Sequence, residues 1–529
     1  MTYFFETYGC EMNIAESASI EQILISRGWK KALSAQLCDM VIINTCSVRA
    51  TAETRIFGRL GFYAGLKKVR NAAPDAKTRS MEEAAAYVEK NGPVPLTVVV
   101  MGCMAERLLK SLQKDFPVVD YVVGTYAKNK FGDIISAVEE GKSPVPIEED
   151  PVYTFAPVSY EEGAFSTFVP IMHGCNNFCT YCIVPYVRGR EVSRPVDEIL
   201  AELDVLSSRG VKEITLLGQN VNSYRGAFSK GGASSADGAA VGKSGGASAD
   251  GVAVGKSGAA SADGGAVGKG ASVGVTGNAS ANTANSTPIT FPQLLQTICA
   301  HIEKTASPIR WIRFESSNPK DFSDELIETI AQTAKRAEEN PESPTICRGL
   351  HIAVQHGSSR ILKLMNRRYT REAYLELVKK IREKIPGIQL STDIMLGFPG
   401  ESEEDFEEAY SLMKEVRYES AFMYYFNPRE GTPAAKMDGQ IDLETKKERL
   451  QKIIDLQLKI TTDVMQERVG KTITVLADII SRDDKTELLG KTEQNERVAF
   501  KGKPSLIGHF VKVHLDSLNG NTFRGTLIE

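Results

Sequence analysis

The sequence predicts a multidomain α/β protein with three folded parts. These are a parallel α/β sheet, a longer incomplete (β/α)6 barrel and a small all-β barrel. Three observations predict this. Strand-like apolar runs alternate with helical patterns over residues 1–145, and again over 160–442. Between 467 and 529 the texture changes to short strands separated by turns. A length of 529 residues has room for several domains.

Composition sets the limits. A charged fraction of 25% and a hydrophobic fraction of 42% are those of an ordinary globular chain. The net charge of −4 excludes a globally basic nucleic-acid binder, so any RNA contact must be local. The opening M-T-Y-F-F-E-T-Y-G-C has no basic and apolar regions of an export signal. No run of 18 or more apolar residues suggests a membrane span. Nine cysteines in such a chain point to a reducing, cytoplasmic setting, where clustered cysteines are metal ligands rather than disulfides.

In the first domain, 1–145, the strands read T-Y-F-F-E-T-Y-G-C, D-M-V-I-I-N-T-C, T-V-V-V-M-G-C and D-Y-V-V-G-T. Three of them end in a cysteine: Cys10, Cys46 and Cys103. Ligands of open parallel sheets gather outside the carboxyl ends of the strands, so these three thiols are expected to meet at one edge. A helical excursion is expected over 71–96, and the acidic, Pro-containing stretch 144–160 reads as a linker.

The second domain, 160–442, opens with F-V-P-I-M-H-G-C and the loop C-N-N-F-C-T-Y-C. That loop places Cys175, Cys179 and Cys182 at C-x3-C-x2-C spacing. Thiolates are the usual ligands of iron–sulfur clusters, and a four-iron cluster normally takes four. Three supplied locally leave one iron open to an outside ligand. Five further strands follow: V-K-E-I-T-L-L-G-Q, R-W-I-R-F-E-S-S, G-L-H-I-A-V-Q-H-G, I-Q-L-S-T-D-I-M-L-G-F-P-G and S-A-F-M-Y-Y-F-N-P. Amphipathic helices separate them, so the site is expected at the C-terminal mouth of the barrel. Residues 229–287 interrupt this pattern. S-A-D-G and A-V-G-K each recur three times with a period of 13, with nothing bulky to bury, so a disordered insertion is expected. Residues 443–466 read as a charged connector helix. The last domain, 467–529, carries ten Lys/Arg against nine Asp/Glu, so its charge alone does not mark an RNA surface.

C-x3-C-x2-C after a first barrel strand resembles the radical S-adenosylmethionine (SAM) enzymes. The strings E-T-Y-G-C-E-M-N, N-T-C-S-V-R, G-C-M-A-E-R, G-C-N-N-F-C-T-Y-C-I-V-P-Y-V-R-G-R-E, L-L-G-Q-N-V-N-S-Y and D-I-M-L-G-F-P-G-E are similar to the tRNA methylthiotransferases among them. The C-terminal barrel resembles their TRAM domain, an RNA-contacting module. The resemblance implies two [4Fe-4S] clusters, one on Cys175, Cys179 and Cys182 that binds SAM, and an auxiliary one on Cys10, Cys46 and Cys103. It implies methylthiolation at C2 of N6-dimethylallyladenosine, next to the anticodon in tRNA. Siblings act on threonylcarbamoyladenosine or on a ribosomal-protein aspartate, and a rival from another class is a non-catalytic iron–sulfur RNA-binding protein. The anticodon loop is the expected partner, since unstacked loop bases are what proteins can extrude. A flavodoxin or ferredoxin is the expected electron donor, and the chain is expected to be a monomer with no membrane contact.

By position, further SAM contacts are expected from Tyr181, Gly218, Gln219, Asn220, Glu315, Gln355 and Asp393. Arg188, with Arg190 and Arg194, is expected on the SAM carboxylate or on RNA phosphate. Departures from the family pattern at Asn318, Ala353, His356 and Asn427 are expected to retune the substrate pocket. Cys38, Cys299 and Cys347 read as ordinary thiols.

Overall fold

A computed structural model describes all residues except 48–49, 72–94, 145, 149, 151, 230–286 and 529. Most of the expected helical excursion and nearly all of the expected insertion therefore lie outside the described residues.

The N-terminal sheet is entirely parallel. Its strands are β1 (Thr2–Thr7), β2 (Lys30–Lys31), β3 (Met40–Thr45), β4 (Thr97–Gly102) and β5 (Tyr121–Val123), in the order β2-β1-β3-β4-β5. Helix α1 (Glu11–Ser26) covers one face with Ile20 and Leu24, and α2 (Ala50–Arg70) covers the other with Ile56, Leu60 and Tyr63. Strand β3 is buried throughout, as a central parallel strand must be. This strand order reverses direction between β1 and β3, and a crevice opens where it does.

In the second domain, β6 (Ser166–Pro170), β7 (Glu213–Leu217) and β8 (Trp311–Phe314) pair in parallel and in chain order. The expected fourth strand, 349–357, is a strand only over Gly349–His351 (β10), which pairs with β11 (Gln389–Leu396); a short strand not expected from the sequence, Thr345–Ile346 (β9), precedes it and pairs with β8. Arg348, between them, binds Glu493 of the C-terminal barrel. One parallel bridge, Ser317 to Ile352, carries the barrel wall across the gap. The last strand, β12 (Ser420–Tyr425), pairs with β11. The six-unit barrel is thus partial. Its outer faces meet the helices in one large core that includes Ile214, Ile312, Leu350 and Ile394.

Two elements complete the barrel. α1 lies against β6, where Met12 and Ala15 pack on Leu217 and Phe168. A long helix, α3 (Leu443–Gln466), covers the β12 side; its Gln457 donates to the Tyr418 carbonyl and its Thr461 to the Glu419 carbonyl. The two ends of the 230–286 segment meet, since Arg225–Gly226 pairs antiparallel with Ile289–Thr290.

The C-terminal part is a closed five-stranded barrel of β13 (Thr472–Ile480), β14 (Glu487–Thr492), β15 (Arg497–Lys501), β16 (Phe510–Asn519) and β17 (Thr522–Ile528). Closure leaves no free strand edge. It is seated on the N-terminal ends of the larger barrel's strands. Phe510 and Leu476 pack on Trp311, and Arg313 donates to the Thr492 and Glu493 carbonyls at 2.8 and 2.7 Å.

Candidate functional site

Each thiol of the first triad sits just past a strand end. Cys10 is the residue before α1, Cys46 follows β3, and Cys103 follows β4. Cys10 and Cys46 therefore flank the crevice at the β1/β3 reversal. Asn13 fastens the two loops together: its Nδ2 donates to Asn44 Oδ1 at 2.7 Å and to the Thr45 carbonyl at 3.1 Å. Gly102 lets the third loop approach. Its φ is +93°, and a Cβ there would lie 2.5 Å from the Thr45 carbonyl oxygen. Hydrogen bonding with Cys46, aided by the charge of Arg188, holds the Cys10 thiol down at about 6, so it is a ready thiolate. Burial pushes Cys103 upward.

The second triad occupies the loop after Met172–His173. Gly174 (φ +78°) turns the chain so that Cys175 can begin the loop; a Cβ there would strike the Arg190 carbonyl. Burial raises Cys175 to about 11 and Cys182 to about 12. A buttress that sequence reading missed supports this loop from behind. Asn366 donates to the Asn177 and Phe178 carbonyls, and Arg367 reaches Cys179 Sγ at 3.4 Å. Asn366 and Arg368 both have positive φ, a conformation asparagine tolerates, so M-N-R-R-Y carried a faint signal of a strained turn.

Several of the expected mouth residues form a connected row. Tyr181 packs beside Met395, Phe398 and Phe426, with the Arg367 charge near its hydroxyl. Tyr424 donates to Gln355, and Gln355 donates to Asp393 at 3.2 Å. Asp393 lies 3.4 Å from His351. Glu315 follows; burial, and then the charge of Glu11 on the N-terminal domain, raise its carboxyl to about 6. Gly218–Asn220 sit at the end of β7, where Asn220 donates to Asp321 at 2.7 Å. Gln219 Oε1, Asn220 Oδ1 and Ser317 Oγ are buried without a partner.

Sequence reading also missed Phe422. β11 buries Leu390, Ile394 and Leu396 against the helices, so Asp393 and its register partner Phe422 face the barrel interior. The Phe422 ring stands edge-on to His351 at 5.7 Å and is 59% exposed. An aromatic ring left open inside a barrel has no packing role there, and nothing in S-A-F-M-Y-Y told which side would face inward.

Three expectations are corrected. Arg188 turns away from the second triad. It is buried with Glu16 and donates to Cys103 Sγ at 3.1 Å, so it reaches neither a free carboxylate nor phosphate. Arg194 is a structural pin, paired with Glu202 and donating to the Ala156 and Pro157 carbonyls of the linker; of the three, only Arg190 is exposed. His356 is fully buried against Glu401 at 3.2 Å, away from the interior, so it serves packing rather than the substrate pocket.

Both triads suit the groups implied for them. Among the described residues, no three Cys, His, Asp or Glu side chains converge as ligands of a single ion. A cluster does not require that, because each thiolate binds a different iron. The orphaned acceptors at the ends of β7 and β8 suit the ammonium and hydroxyl donors of SAM.

Three family models match the chain: Uncharacterized protein family UPF0004 over residues 2–124, the Radical SAM superfamily over 169–232 and 287–413, and the TRAM domain over 466–528. The fold is thus that of a radical SAM enzyme with an added N-terminal domain and a C-terminal TRAM domain. A tRNA-2-methylthio-N(6)-dimethylallyladenosine synthase of Treponema denticola is 45% identical, covering 100% of both chains. One of Bacteroides thetaiotaomicron is 38% identical over 99% of this chain and 95% of that one. Among solved structures, a radical SAM methyltransferase of Kitasatospora setae aligns at TM-score 0.48 with 14% identity, over 82% of this chain and 77% of that one. The chain belongs to the tRNA-2-methylthio-N(6)-dimethylallyladenosine synthase family, whose cofactors are SAM and two [4Fe-4S] clusters.

Proposed function

We propose that this chain methylthiolates C2 of N6-dimethylallyladenosine next to the anticodon of tRNA. The observation that carries the reading is the joining of two three-cysteine sites at one barrel mouth. Ile183, directly after Cys182, packs on Cys103. Cys175, Cys179 and Cys182 would hold one cluster, and Cys10, Cys46 and Cys103 the other. With SAM bound, these groups would supply radical chemistry at an aromatic C–H that has no acidic proton, and the sulfur that replaces the hydrogen.

The chain's own residues prepare the place. Gln219, Asn220 and Ser317 offer acceptors to SAM, and Tyr181 offers a ring. Phe422 offers the target base a stacking face, with His351 and Asp393 at its edge. α1 and the C-terminal barrel close the side and floor, so the base enters from the mouth and leaves water behind. Glu315 lies close to His351 on the barrel and to Glu11 and Cys10 on the N-terminal domain.

A flavodoxin or ferredoxin as donor, a monomeric enzyme and a cytoplasmic setting complete the proposal. No helix among the described residues is long and apolar enough to cross a membrane. Mass spectrometry of tRNA nucleosides from a strain lacking the gene tests the substrate. The 2-methylthio derivative should disappear while N6-dimethylallyladenosine accumulates; persistence of the 2-methylthio product would falsify the assignment.

A further inference from the structure

The segment Ile183–Arg188 leaves the second cysteine loop and enters the N-terminal domain. Ile183 and Val187 pack on Cys103, and Thr125 donates to the Val187 carbonyl at 2.9 Å. Arg188 then buries its guanidinium among charged and sulfur groups. Nε donates to Cys103 Sγ at 3.1 Å and Nη1 to Glu16 Oε1 at 2.8 Å, with the arginine and glutamate side chains only 2% and 4% exposed. Glu16 also receives Lys128 Nζ at 2.6 Å. His173 lies 3.5 Å from Nη1 and is stacked on Tyr153, whose hydroxyl receives Lys128 at 2.9 Å, and the Tyr126 hydroxyl donates to the Arg188 carbonyl at 3.2 Å. Burying an arginine beside a lysine with a single carboxylate between them is costly, and packing alone does not require it.

We propose that Arg188 is a positioning residue for the sulfur-side site: its guanidinium hydrogen-bonds the Cys103 sulfur, and its charge, partly offset by Glu16, raises the reduction potential of the cluster held by Cys10, Cys46 and Cys103. This rests on the reading that the N-terminal triad holds a cluster. Reduction adds negative charge to a cluster. A buried cation and a hydrogen bond to a ligating sulfur both favour the reduced form, and the low dielectric keeps the effect strong. Arg188 lies six positions beyond Cys182. One short stretch therefore carries both a cysteine of the second triad and the charge beside the first.

The test uses the full chain with Cys175, Cys179 and Cys182 replaced by Ala, reconstituted with iron and sulfide and titrated electrochemically under EPR. Arg188→Gln keeps a donor but removes the charge, and its potential should shift negative. Glu16→Gln removes the offsetting carboxylate, and its potential should shift positive. A merely structural role moves both variants the same way or neither. Either of those results, with iron and sulfide at the parent level, overturns the proposal. If Arg188→Gln does not load, Glu16→Gln decides alone: a positive shift supports the proposal, and none or a negative one sinks it. A parent chain that binds no iron at all fails the two-cluster reading itself, a separate outcome read from the iron content.

Discussion

Phe422 places a ring on the inner face of the barrel, edge-on to His351. Stacking a base on an aromatic side chain stabilises a complex by about 1–3 kcal/mol. Phe422→Ala should therefore lower kcat/KM for tRNA by about five- to 150-fold. The slow cleavage of SAM to 5′-deoxyadenosine without tRNA should be unchanged, because the SAM-side residues lie elsewhere in the row. Equal loss of both activities would mean that the substitution damaged the fold. At this scale the six cysteines were legible, since thiols bunched in one loop or repeated at strand ends stand out against any background. Arg367, Glu16 and Phe422 were not. Each belongs to an ordinary-looking helix, turn or strand, and its role comes only from what the fold brings opposite it. Arg188 was legible as important but was assigned to the wrong partner. Its neighbours in sequence are the SAM-side cysteines, and its neighbours in space are the others.

Strand and helix elements followed their periodicity except where another domain intervened. The fourth barrel strand reads as one run over 349–357, yet only Gly349–His351 pairs as a strand, and just before it Arg348 grips Glu493 with two nitrogens. No local pattern encodes a partner 145 positions away. The parallel strand order β2-β1-β3-β4-β5 was likewise open in the sequence, which showed four of the five strands, missing the two-residue Lys30–Lys31, and not the reversal that puts Cys10 beside Cys46. The Gly/Ala/Ser repeat is bounded by a paired base, Arg225–Gly226 with Ile289–Thr290, at the edge of β7's loop. Replacing 231–285 by a short Gly-Ser turn should leave both methylthiolation and melting temperature at the full-length values, because the base stays paired. Lost activity with both clusters intact would show instead that the repeat touches tRNA.

Across the whole molecule, the C-terminal barrel is held at the floor of the larger one by a charged joint. Glu419 opens β12, Glu496 precedes β15, and Arg468 follows α3, 2.7 Å from Glu496. Burial, reinforced by the charge of Glu496, raises Glu419 to about 9; Arg468 opposes this. The folded joint therefore holds a proton that the unfolded chain releases above its ordinary carboxylate range. Stability from this group is complete at low pH and is lost as pH rises toward 9, by about 1.4 kcal/mol per pH unit. The melting temperature of the C-terminal transition should accordingly fall between pH 7 and 9. Glu419→Gln should flatten that fall and raise the melting temperature at pH 9. An unchanged pH profile in Glu419→Gln would place the proton elsewhere.

α1 has two jobs on two faces, and they come due at different times. Ile20 and Leu24 serve the first sheet, whereas Met12 and Ala15 wait for Phe168 and Leu217. At a synthesis rate of about 5–20 residues per second, roughly 10–40 seconds separate the emergence of the helix from that of its second partner. For that interval an apolar strip next to Cys10 stands open to solvent, and the crevice flanked by Cys10 and Cys46 stands open with it. The helix made first on the ribosome is completed only when the barrel arrives, and its arrival closes the sulfur site.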